Sequence, residues 1–129
     1  LPGAEELLSA LHGRYALCLA SNGTGWVQEG RLKSSGILPL LDRVFISEYL
    51  GANKPQLGFF DACFASLPGV KRSESLMLGD SLTSDMLGGK IAGMHTCWYN
   101  PNRLPLPTDG TVEYQIHRLP DLLPLLEKL

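Results

Sequence analysis

Apolar residues in this chain fall either into short unbroken runs or into sets spaced three and four apart, with glycine and proline between them. Leu7, Leu8 and Leu11 keep helical spacing behind Glu5 and Glu6, acids that suit a helix's first turn, so residues 4–12 are predicted helical with a stop at Gly13. Residues 15–20 (YALCLA) are a nearly continuous apolar run, the pattern of a strand covered on both faces. The run ends in Ser21-Asn22-Gly23-Thr24-Gly25, and a helix of mixed face follows over 26–35, closed by Gly36. Residues 44–47 (VFIS) read as a short strand, from which a loop over 49–53 leads to Lys54-Pro55.

Pro55 suits the first position of a helix, which is predicted to run to about residue 66 with Phe59, Phe60, Cys63, Phe64 and Leu67 turned inward, until Pro68-Gly69 breaks it. Residues 75–78 (SLML) form a strand that stops abruptly at Gly79, and a helix over 82–92 ends at Gly93. Residues 96–99 (TCWY) are the next strand, 100–110 a Pro-rich loop and 114–116 a last short strand. An amphipathic helix over 119–129, with Pro120 near its start and distorted at Pro124, closes the chain. Strands alternating with helices predict an α/β fold: one Rossmann-like parallel sheet with helices on both faces, occupying residues 1–129 as one domain.

Composition narrows the function classes. With 44% hydrophobic and 19% charged residues, the 129-residue chain has the make-up of a single globular domain with its own core. A net charge of −2 gives no reason to expect nucleic acid or an anionic membrane as partner. No apolar run approaches the roughly 20 residues that span a bilayer, and residues 1–6 do not resemble a signal peptide. Cys18, Cys63 and Cys97 are odd in number, far apart and set in apolar segments; they read as small buried hydrophobes in a reducing compartment, with the cytoplasm as default. His12, His95 and His117 lack ligand-like spacing and are expected at the surface.

Three predicted strand ends carry polar groups. Asp80 follows a strand directly and Asp85 comes five residues later, a placement that suits either a hard cation such as Mg²⁺ or simply a turn and a helix cap. Ser21, Asn22 and Gly23 offer a hydroxyl and backbone N–H groups in a tight turn, either an anion nest or an ordinary turn. Lys54 stands at a predicted helix start, where the dipole disfavours a cation unless it points at an anion. Trp26, just past the turn, is a candidate border of a substrate pocket. Hydroxyl and amide donors, one fixed positive charge and a carboxylate pair together suit phosphoryl transfer.

Ser21-Asn22-Gly23, Lys54-Pro55 and Gly79-Asp80-Ser81-Leu82-Thr83-Ser84-Asp85, in this order and spacing, resemble motifs II, III and IV of the haloacid dehalogenase (HAD) superfamily, a match that covers essentially the whole chain. Ile46-Ser47-Glu48, Asp85-Met86-Leu87-Gly88-Gly89 and Thr96-Cys97-Trp98-Tyr99-Asn100 further resemble its YjjG-like branch of pyrimidine nucleotidases. The resemblance implies a Mg²⁺-dependent phosphomonoester hydrolase that works through an aspartyl-phosphate intermediate. Its substrate would be a small phosphorylated metabolite, a nucleoside monophosphate among the candidates. Ser21, with Asn22 and Gly23, would bind the phosphoryl group and Lys54 would pair with it. Asp80 would ligate Mg²⁺, and Asp85 would hold the ion's shell or orient Lys54.

One part of the pattern is missing. The family's nucleophile belongs to an Asp-x-Asp motif, and no aspartate here has another two residues on. By the resemblance, the first strand of the fold and the cap inserted after it would lie before Leu1, making the chain a piece that is inactive alone. That strand lies mid-sheet in the family, between the strands ending at Ser21 and Asp80, so its absence would leave a slot of roughly 9–10 Å to be filled by a missing N-terminal segment or by self-association. Two rival readings remain at this point: a non-catalytic phosphate- or metal-binding module, and an inactive remnant.

Overall fold

The structure, a computed structural model, describes every residue except Leu1 and Thr24 and the side chains of Trp26, Val27, Gln28, Glu29 and Leu32, so the pocket expectation for Trp26 lies outside the described residues. The chain forms two compact units, Leu1–Gly51 with Leu119–Leu129, and Ala52–Arg118.

The first unit is built on a parallel pair, β1 (Cys18–Ser21) and β2 (Arg43–Ile46), in register Cys18 with Arg43 through Ser21 with Ile46. Helix α1 (Ala4–Leu11) precedes β1 and buries Leu7 and Leu11, the apolar positions its spacing predicts. Helix α2 (Gly25–Ser35) makes the crossover that a parallel pair requires. The crossover is pinned at the strands' entry, where Leu17 N–H donates to Asp42 Oδ2 at 2.7 Å and Asp42 N–H returns a bond to the Leu17 carbonyl at 2.7 Å.

The loop expected over 49–53 is partly a short helix, α3 (Ser47–Leu50), closed by Gly51 at φ 73°. Glycine occupies that left-handed region without steric cost. The closing segment is shorter than its periodicity suggests: a 3₁₀ turn, Leu119–Asp121, leads into α6 (Leu122–Glu127), which carries Pro124.

The second unit holds a three-stranded parallel sheet in the order β3 (Leu76–Gly79), β4 (His95–Tyr99), β5 (Tyr114–Ile116). Helix α4 (Leu57–Ala65) buries Phe59, Phe60 and Cys63 as expected, with the two rings edge to face at 5.4 Å between centroids. It starts two residues later than predicted. Pro55 is not its first residue, because residues 53–56 form a turn of their own: Gln56 N–H donates to the Asn53 carbonyl at 2.9 Å, and the Lys54–Pro55 peptide is cis. Phe64 is half-buried under the Arg72 guanidinium, 4.9 Å from its ring centre.

The helix expected over 82–92 is two segments, a π-helical turn Leu82–Met86 and α5 (Leu87–Ile91). The Pro-rich loop after β4 has an internal anchor: buried Asn100 donates through Nδ2 to the Leu104 carbonyl and accepts the Leu104 N–H at Oδ1, both at 2.9 Å.

One core expectation fails. Cys63 and Cys97 are buried, but Cys18 is exposed, and Leu19 and Ala20 beside it are only half-buried. A two-stranded sheet gives its side chains fewer neighbours than the middle of a wide sheet, so the apolar run over-reads their burial. Neither β1 nor β3 has a second ladder partner among the described residues. His12 is exposed as expected, whereas His95 and His117 are half-buried and hydrogen-bonded.

Candidate active site

In the second unit, β3 delivers Gly79 and Asp80 to its carboxyl end, the edge at which open parallel sheets bind ligands. Trp98 on β4 donates its indole N–H to the Asp80 carbonyl at 3.1 Å and so fixes the strand end. The Asp80 side chain is exposed, and its carboxylate takes no protein donor among the described residues.

Asp85 is the opposite case. The Ser81 hydroxyl caps the turn after the strand by accepting the Ser84 N–H at 3.1 Å, and the π-helical turn then carries Asp85 inward. π-Turns inside helices are uncommon and cluster at functional sites. Asp85 Oδ1 accepts Lys54 Nζ at 2.5 Å, with the two side chains only 8% and 9% exposed. Its Oδ2 accepts the Ser81 N–H at 3.3 Å. Glycine at 79 is required for this arrangement, because a Cβ there would lie 2.5 Å from Asp85 Cγ. Gly88 serves the same cluster from α5, where a Cβ would meet the Phe60 ring at 2.6 Å.

In the first unit, Ser21 ends β1 half-buried and exposed Asn22 follows it. Gly23 N–H is not left for an anion: it donates to the hydroxyl of buried Ser47 at 3.0 Å. Ser47 thus braces the turn from α3.

Of the four charged or hydroxylic positions singled out in the sequence, Lys54, Asp80 and Asp85 belong to the second unit and Ser21 to the first. The structure joins Lys54 to Asp85 directly. Sequence reading quoted Ser47, Ser81, Trp98 and Asn100 within the family motifs but gave none of them the bracing role that the structure shows. Each is a polar side chain at a strand end whose partner is backbone, and sequence spacing alone does not reveal such partners.

Burial pushes the Cys97 thiol up to about 12, and the Cys18 thiol, on an exposed residue, is raised by partial loss of water around it and by the Asp42 charge, so both stay protonated at neutral pH. No helix among the described residues is long and apolar enough to cross a membrane. No set of three His, Cys, Asp or Glu side chains gathers as a metal cage among the described residues. Mg²⁺ does not need one, since it keeps several waters and is commonly held by one or two carboxylates. Asp80 has the chemistry for that role, whereas both oxygens of Asp85 already have protein donors.

The sequence profile of the haloacid dehalogenase-like hydrolases matches residues 1–99. The chain belongs to that family. It is 42% identical over 129 residues to the pyrimidine 5'-nucleotidase PynA of Streptococcus pneumoniae, covering 99% of this chain and 54% of that protein. It is 36% identical over 128 residues to the pyrimidine 5'-nucleotidase YjjG of Escherichia coli, covering 99% of this chain and 57% of that one. A crystal structure of the HAD-hydrolase YfnB of Bacillus subtilis bound to magnesium matches with a TM-score of 0.94 at 36% identity, over 98% of this chain and 55% of that one. The HAD-like chain therefore spans about half the length of the curated relatives it matches. Its α/β fold with parallel sheets agrees with that of its structural neighbours.

Proposed function

We propose that this chain is part of a magnesium-dependent phosphomonoester hydrolase whose substrates are small phosphorylated metabolites, nucleoside 5'-monophosphates first among them. The observation that carries the reading is the buried Lys54–Asp85 pair beside a strand end that presents Asp80 without a protein donor. A carboxylate that fixes a lysine leaves the ammonium charge in a set position, and a preset charge stabilises phosphoryl transfer without reorganisation.

Asp80 is the residue that would hold Mg²⁺, which supplies neutralisation of phosphate charge. Lys54 pairs with a phosphoryl oxygen, and Asp85 orients Lys54. The Ser21 hydroxyl and the turn at Asn22 bind phosphoryl oxygens; Gly23 contributes by shaping that turn, since its N–H is committed to Ser47.

The reaction needs a carboxylate nucleophile that attacks phosphorus and displaces the alcohol; water then attacks the resulting acyl phosphate, releasing inorganic phosphate and regenerating the carboxylate. No Asp-x-Asp occurs in this sequence, so the nucleophile is assigned to a segment outside these 129 residues, in a cytoplasmic enzyme of which this is part of the HAD-like core. The names of PynA and YjjG favour a pyrimidine nucleotide as substrate.

The test is phosphatase turnover with an aryl phosphate and Mg²⁺, for the chain alone and with a segment carrying an Asp-x-Asp strand added. Turnover only with the added segment, abolished by Asp80→Asn, is the expected result. Turnover by the chain alone that survives Asp80→Asn overturns the reading. No turnover from a well-folded complex favours a non-catalytic module, to which the missing Asp-x-Asp also points.

A further inference from the structure

The Asp80 carboxylate is exposed, so the direction it takes is set by the backbone beneath it. The peptide that joins Asp80 to Ser81 is held at both ends. Its carbonyl accepts the Trp98 indole N–H at 3.1 Å, and its N–H donates to Asp85 Oδ2 at 3.3 Å. A peptide is planar, so bonds at its opposite ends fix the whole plane. Gly79 and Trp98 are the last register pair between β3 and β4, which leaves Asp80 one residue past the sheet. The strand fixes the chain before the Asp80 Cα and the held peptide fixes it after. The Cα–Cβ bond of Asp80 therefore has one direction. Both holding groups are buried, and Asp85 is itself held through its other oxygen by Lys54. Indole, peptide, carboxylate and ammonium form one hydrogen-bonded series, in which each bond polarises the next. A buried tryptophan needs some partner for its N–H, but packing does not require that partner to be the carbonyl of Asp80.

We propose that Trp98 is a positioning residue for Asp80: its indole N–H acts with Asp85 to lock the 80–81 peptide and so aims the Asp80 carboxylate at Mg²⁺. The inference rests on the phosphomonoesterase reading above, which gives the metal to Asp80, and adds the group that sets that ligand's direction. Trp98 touches neither metal nor substrate. It acts through the peptide, so its effect is read in metal affinity.

The test measures Mg²⁺ affinity by NMR titration of the Asp80 and Ser81 amide signals. It compares the wild-type chain, Trp98→Phe, and a chain in which Trp98 alone is replaced by benzothienylalanine. Phenylalanine removes the N–H and part of the ring, whereas the benzothiophene keeps the ring's shape and has sulfur in place of the N–H. Loss of a group that orients a metal's ligand weakens metal binding by about tenfold or more. Both replacements are expected to raise the Mg²⁺ dissociation constant by about that factor in a folded chain. Where Trp98→Phe unfolds, the benzothienyl chain decides. An affinity unchanged by the benzothienyl replacement overturns the inference, since the tryptophan then serves by packing alone. Wild-type binding that survives Asp80→Asn, or no Mg²⁺ binding by the wild type, removes Asp80 from the metal, and the magnesium-dependent reading fails together with the inference. Binding abolished by Asp80→Asn but indifferent to the indole N–H removes the inference alone.

Discussion

Gly79 and Asp85 compete for one space: the carboxylate that holds Lys54 lies where a side chain on residue 79 would begin, with Asp85 Cγ 2.5 Å from the position of a Cβ. The glycine ending β3 is therefore a steric condition for the ion pair as well as a turn signal. Gly79→Ala is expected to push Asp85 outward and cost about 1–3 kcal/mol, the range for overpacking a filled site. Urea unfolding checks the magnitude. In an Asp85→Gly background the same substitution should cost much less, because the whole displaced side chain, its Cβ included, is gone.

The Lys54–Asp85 pair is nearly inaccessible to water, with side-chain exposures of 9% and 8%. Removing one partner leaves an uncompensated buried charge. Lys54→Ala is expected to destabilise the protein by about 3–5 kcal/mol, and the double replacement Lys54→Ala/Asp85→Ala by less than the sum of the singles. Additive single effects in a denaturant-based double-mutant cycle would mean that the two side chains act independently.

Away from that site, His95 joins three segments. Nδ1 faces both oxygens of Glu113 at 2.8 and 3.0 Å, and Nε2 faces the Ser73 carbonyl at 2.9 Å. Both nitrogens meet acceptors, which only the protonated ring satisfies as a double donor. The hydrogen bond to Glu113, with that carboxylate's charge and the Ser73 carbonyl, raises the imidazole above its ordinary 6.5. A raised folded-state value means that His95 contributes stability fully below about pH 6.5, the unfolded value. The contribution is lost as pH rises through the folded-state value. NMR titration of His95 is expected to show the elevated midpoint, and Glu113→Gln should return it towards the ordinary value and flatten that part of the stability profile.

The contrast between these two pairs explains how much was legible from the sequence. Apolar periodicity located β1 to β5 and the main helices, because burial of one face is what fixes such elements. Lys54, Asp80 and Asp85 stood out because charged groups just past apolar runs are unusual and the strand ends are where ligands bind. Spacing could not show that Asp85 turns inward to Lys54, since the π-turn that carries it depends on Gly79 lacking a side chain. Nor could it show that Pro55 stands in a turn closed by Asn53 and Gln56 before α4, since a proline suits either a turn or a helix start, or that Cys18 is exposed, since that depends on neighbours distant in sequence.

Asn100 and Arg103 supply the last case. Arg103 is the one non-glycine residue with positive φ among the described residues, at 52°, and its N–H donates to the Asn100 carbonyl at 3.2 Å. Asn100 clamps Leu104 through both side-chain atoms, so the chain between must turn through the left-handed region. A residue with a Cβ loses roughly 1–2 kcal/mol there, which glycine recovers in part, less the entropy of its freer unfolded state. Arg103→Gly is expected to stabilise the protein by up to about 1 kcal/mol, and Arg103→Val to destabilise it, because a β-branched side chain tolerates positive φ least. The gain should vanish in an Asn100→Ala background, where nothing forces the turn. A full gain from Arg103→Gly in that background would show instead that the loop holds its left-handed residue without the Asn100 clamp.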